Sequence, residues 1–110
     1  MIKNNLSVLY VGAAEKGRLL DKRVHPRGWV VYQPAEVMEA LALHITTYPD
    51  IVVLDRRETP LFAREVEAHL CSLNDGVPML DGTFYEVESL VCAIEDRFDT
   101  FATRPHENGC

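Results

Sequence analysis

Four apolar, strand-length segments, each followed by a helix-length amphipathic stretch, predict an α/β domain with an open parallel sheet flanked by helices. One segment fixes the parallel sense. Ile51-Val52-Val53-Leu54 is apolar without alternation, the mark of a strand covered on both faces. Composition sets the scale: 110 residues, 47% hydrophobic and 25% charged, describe one ordinary globular domain with a single core.

The elements follow in order. Leu6–Val11 is β-branched and apolar and stops at Gly12, so it reads as a buried strand. A short helix over 14–24 carries Leu19, Leu20 and Val24 on or near one face, and Pro26-Arg27-Gly28 turns the chain. Trp29–Tyr32 is the second strand. Pro34 opens the next helix, where its missing N–H costs nothing, and Val37, Met38, Leu41 and Ile45 recur at one-face spacing as far as Tyr48-Pro49. After the strand that Asp55 ends, Pro60 begins a third helix with Phe62, Val66, Leu70 and Leu73 in register, stopped by Asn74-Asp75-Gly76. Val77–Leu80 is the fourth strand and Asp81-Gly82-Thr83 its exit. Residues 85–98 form the last helix, striped by Val87, Leu90, Val91, Ile94 and Phe98. The domain spans 1–100, and the polar residues 101–110 read as a frayed tail.

Charge is unevenly placed. The net charge is −6, yet the first 28 residues hold six basic side chains against two acidic ones, and the rest hold five against fifteen. An acidic whole argues against nucleic acid, whose binding is driven by phosphate neutralisation. The basic end reads as a solvated helix face or a docking patch for an acidic partner. No apolar run is long enough to cross a bilayer or to serve as a leader, so a cytoplasmic protein with no membrane partner is expected. Three cysteines without a Cys-x-x-Cys pair suggest neither a zinc site nor a disulfide framework, and the four histidines fall at no metal-ligand spacing.

In open parallel sheets the functional crevice lies at the carboxyl ends of the strands. The residues placed there are Gly12–Glu15, Gln33, Asp55–Glu58 and Asp81–Thr83. Gly12 and Gly17 are spaced as in a phosphate-binding loop, but the next residues are Arg18 and Leu19, so the magnesium-binding hydroxyl is missing. Small-ligand or nucleotide binding by that loop is the weakest of three functional readings. Asp55 is the most suggestive residue. A carboxylate ending a buried strand is partly desolvated yet reachable, which suits a phosphoryl-accepting nucleophile, although Asp also caps such exits.

Pro49-Asp50-Ile51-Val52-Val53-Leu54-Asp55, with Pro60 downstream, resembles the central strand of bacterial response-regulator receiver domains. Ser7–Val11 resembles that family's first strand, and Ala35–Leu43 its second helix; the resemblance runs over about residues 6–98. It implies a flavodoxin-like sheet of order 2-1-3 followed by the last strand, with Asp55 as the phosphoacceptor. The departures are as informative as the match. The family's paired acidic residues, which hold magnesium, fall at Gly12 and Ala13. Thr83 lies near the position of its phosphate-contacting hydroxyl, but no Lys follows Lys22. The chain is also one strand–helix unit short, and a fifth strand would have to be shared with a second copy.

The resemblance therefore implies a degenerate receiver: a non-enzymatic signalling module without cofactor, acting through a protein partner or a second copy, by way of an exposed sheet edge or the last helix. The alternative is a phosphoacceptor protein that keeps Asp55 chemistry. Glu58 and Asp81 would then replace the missing magnesium ligands, with Thr83 as an accessory group.

Overall fold

A computed structural model describes residues 6–74 and 76–98, so the expected tail over 101–110 lies outside the described residues. It holds the strands β1 (Ser7–Val11), β2 (Val30–Tyr32), β3 (Ile51–Leu54) and β4 (Met79–Asp81). The helices are α1 (Ala14–Val24), α2 (Val37–Thr47), α3 (Pro60–Leu73) and α4 (Val87–Phe98), with one turn of 3₁₀ helix at His25–Arg27. Among the described residues the sheet has four strands, all parallel, in the order β2-β1-β3-β4. This is the flavodoxin-like arrangement, with β1 and β3 at its centre. Leu9 stands opposite Tyr32 on one side and Val52 on the other, and Val53 stands opposite Leu80.

Alternation along the central strands sorts the core into two layers. Val8, Tyr10, Ile51 and Val53 face Leu20 and Val24 of α1 and Leu90, Val91 and Ile94 of α4. Leu9, Val11, Val52 and Leu54 face Ala40 of α2 and Ala63, Val66 and Leu70 of α3. The central strands are thus covered on both sides, which is why Ile51–Leu54 shows no alternation. Among the described residues no helix is long and apolar enough to cross a membrane.

Several element bounds differ from those expected, for local reasons. β4 begins at Met79 rather than Val77, because Pro78 has no N–H for the ladder and joins it only by accepting from Val52. α2 begins at Val37, three residues beyond Pro34, and the Ala35 N–H is satisfied by the Glu39 carboxylate instead. Along α2, Val37, Ala40, Leu41 and His44 turn inward while Met38 and Ile45 are exposed. Leu19 and Leu73 are likewise half in solvent, and Cys71 is exposed on α3.

Part of the charge imbalance is met within the chain. Arg23 pairs with Glu88 and Arg27 with Glu95, so the basic first helix lies along the acidic last one. Arg27 also lies over the Trp29 ring, 5.5 Å from its centroid.

Candidate functional site

β1, β3 and β4 all end at one edge of the sheet, and Asp55 sits in the middle of it, 3% exposed. Its backbone N–H donates to the Val11 carbonyl at 2.8 Å, extending the β1–β3 ladder by one step. The side chain therefore turns back under the β1–α1 connection rather than out to solvent.

Both carboxylate oxygens are occupied. Oδ2 accepts from the Tyr10 hydroxyl at 2.8 Å and faces the Lys16 ammonium at 2.7 Å. Oδ1 accepts from the Arg57 backbone N–H at 3.0 Å. Lys16 Nζ donates as well to the carbonyls of Gly82 at 3.1 Å and Tyr85 at 2.6 Å. Its three N–H groups thus meet three oxygens, tying the start of α1 to the end of β3 and to the β4–α4 connection. Burial works against the charge on Asp55, but the hydrogen bonds from Lys16, Arg57 and Tyr10, with the Lys16 charge, outweigh it and hold the carboxyl below its ordinary value. The Tyr10 phenol is pushed well above its ordinary value, by burial first and then by its hydrogen bond to Asp55.

The glycines of the first connection serve packing. Ala14 already begins α1, so Gly17 is a buried helical residue and 12–17 is not a loop. A Cβ on Gly17 would lie 2.6 Å from the Gln33 amide oxygen and 2.9 Å from the Tyr10 ring. A Cβ on Gly12 would lie 2.8 Å from Asp55 Cβ and 2.9 Å from the Tyr10 hydroxyl. The Tyr10 ring and Asp55 together leave no room at position 12 for the acidic side chain that the resemblance calls for.

Asp81 and Thr83 form a second, shallower arrangement beside this one. Thr83 Oγ1 donates to Asp81 Oδ1 at 2.6 Å and accepts from the Arg56 N–H at 2.8 Å. Arg56 reaches Asp81 at 3.4 Å and pairs with Glu67, and Arg57 donates to the Thr83 carbonyl at 2.9 Å. The hydroxyl of Thr83, with the nearby Arg56 charge, holds the Asp81 carboxyl below its ordinary value. Thr83 is therefore engaged in bracing the exits of β3 and β4 against each other.

Of the residues expected at a cation site, Asp55, Asp81 and Thr83 lie at one edge, and Glu58 is exposed on the rim of the cleft above Asp55. The expected convergence of Asp55, Glu58 and Asp81 as metal ligands does not form. Among the described residues no three of His, Cys, Asp and Glu are grouped as a metal would need. The Asp55 and Asp81 carboxylates have been turned to internal donors instead. What sequence reasoning missed is Lys16 and Tyr10. The available signals were a tyrosine hydroxyl within an apolar strand, which needs a buried partner, and a strand-ending aspartate, which needs donors.

No model of a known protein family matches the chain. A search of curated proteins likewise finds no match.

Proposed function

We propose that this chain is a non-enzymatic regulatory module of receiver-like build, working by protein–protein contact, in which the acceptor-position carboxylate has become a structural hub. One observation carries the reading: Lys16 Nζ and the Tyr10 hydroxyl both engage Oδ2 of Asp55. In a phosphoacceptor that oxygen must be free to attack, and a metal must neutralise the incoming phosphoryl group. Here a tethered ammonium supplies a neutralising charge from within the chain, and the ion pair and hydrogen bond lower the nucleophilicity of the carboxylate. The close fit of Gly12 against Asp55 and Tyr10 supports the same reading, because it excludes a metal-binding carboxylate from that position.

The test is an amide NMR titration with magnesium and beryllofluoride, a mimic of the phosphoryl group. The expected result is a folded spectrum in which Asp55, Gly12 and Thr83 do not respond. Shifts clustered on those residues, lost in Asp55→Asn, would overturn the reading and establish a phosphoacceptor.

A further inference from the structure

Two hollows lie between α1 and α4, and both are lined by Leu19 and Val87. The one over Asp55, about 210 Å³, is lined by Glu15, Glu58 and Glu86 together with Lys16, which is held on Asp55, and Arg57. Its neighbour, about 430 Å³, is bounded by Lys22, Arg23 and Glu88. They share Leu19 and Val87 and so lie end to end as one groove, with an excess of carboxylates at the Asp55 end and Lys22 beside the Arg23–Glu88 pair at the other.

Leu19 is 51% exposed at the centre of this groove. Glu15 stands four residues before it and Arg23 four residues after, with Lys22 beside Arg23, and all are exposed. At four-residue spacing these side chains share one face of α1, with the opposite charges about 6 Å to either side of the leucine along the axis. Such a stripe is its own complement when reversed. Laid antiparallel on a second copy, it brings leucine to leucine and each Glu15 to the other chain's Lys22, while Arg23 keeps its own Glu88. Laid parallel, it opposes like charges.

We propose that a second copy of this chain occupies the α1–α4 groove, antiparallel along α1, about a two-fold axis at Leu19. A two-fold interface requires a patch that complements itself under reversal, and the acid–leucine–base stripe meets that condition. Another candidate surface, the β4 edge, unpaired among the described residues, offers three residues and ends on Asp81, and so short a strand is a poor template for pairing. The groove also offers few apolar groups, so the dimer is weak and reversible, of the transient class.

The inference rests on reading the chain as an interaction module, and its test is separate from that of Asp55. Sedimentation of the full chain from micromolar to millimolar concentration should show a monomer–dimer equilibrium. Leu19→Arg should abolish it. Glu15→Lys and Lys22→Glu should each weaken it by about tenfold, since each places like charges at two symmetric contacts, and the double reversal should restore it. Circular dichroism verifies that each variant is folded. A chain that stays monomeric throughout, or folded single and double reversals that associate alike, would overturn the dimer. The beryllofluoride experiment tests the Asp55 half of the proposed function and sedimentation its protein-contact half, so the two failures are distinguishable.

Discussion

Two aspartates close neighbouring strands at the same edge of the sheet and have opposite fates. Asp55, just beyond β3, is sealed beneath the β1–α1 connection and meets an ammonium, a phenol and a backbone N–H. Asp81, the last residue of β4, keeps 54% of its side chain in water and meets the hydroxyl and backbone N–H of Thr83 and one arginine. The sequence gives both the same residue type in the same role, the last carboxylate of a strand. The difference is position across the sheet. A central strand delivers its terminal side chain into a dry site, where pairing is obligatory; an edge strand delivers it to solvent, where pairing is optional.

The comparison is broken most severely by Lys16→Ala. That change leaves a buried carboxylate without its cation and frees the carbonyls of Gly82 and Tyr85, and should cost about 3 kcal/mol in urea unfolding. It should also change the acid limb. The folded Asp55 carboxyl lies below its ordinary 3.8, so its stabilising contribution is complete above that value and is lost as pH falls through the lower folded one. Without Lys16 that contribution shrinks, and the variant should lose less stability than the parent between about pH 5 and pH 2. A variant with parental stability at neutral pH would show that the ion pair does not hold this edge together.

Gly12→Ala comes next. Its Cβ would lie 2.8 Å from Asp55 Cβ, between packed groups that cannot swing away, so a loss of about 2 kcal/mol is expected. Tyr10→Phe removes one of three donors while keeping the ring, and should cost about 1 kcal/mol in the same assay. The folded phenol lies above its ordinary 10.0, so its contribution is present below that value and fades as pH rises above it. The phenylalanine variant should therefore lose less stability than the parent on going from neutral to strongly alkaline pH. Asp81→Ala sharpens the contrast from the other side. Its own carboxylate is half in water, and the change should cost well under about 1 kcal/mol by thermal unfolding. A loss matching that of Lys16→Ala would erase the distinction between the two strands.

Much of this edge was legible in the sequence. The unalternating run Ile51–Leu54 announced a doubly covered strand, and the short apolar segments with their helices announced a parallel sheet; the residues pointed to an Asp55 only partly desolvated and still reachable, whereas it is almost fully buried. The boundaries near Pro34 and Pro78 were less legible, because each proline shifts where hydrogen bonding begins. The partners of Asp55 were not legible. Whether a lysine one turn into α1 bends over a strand 39 residues away depends on how α1 lies on the sheet, which no local pattern records. The same holds for Gly12, whose place as a turn glycine is evident but whose real constraint is a tyrosine ring two residues back.

The two layers of the core differ in how they can be assembled. Beneath α2 and α3 the covering helices are consecutive in the chain, joined through β3, so most of that layer comes from the continuous stretch Val37 to Leu73, to which β1 adds Leu9 and Val11. The other layer joins the first helix to the last, and Leu20 and Val24 find Leu90 and Ile94 only after nearly the whole chain is available. Contacts so distant in sequence carry the larger loop-closure entropy and are the slower to form. The folding nucleus is accordingly expected around α2, β3 and α3. Lys16, which bonds at once to the ends of β3 and β4, would then be a late latch: its removal should leave the folding rate nearly unchanged and speed unfolding.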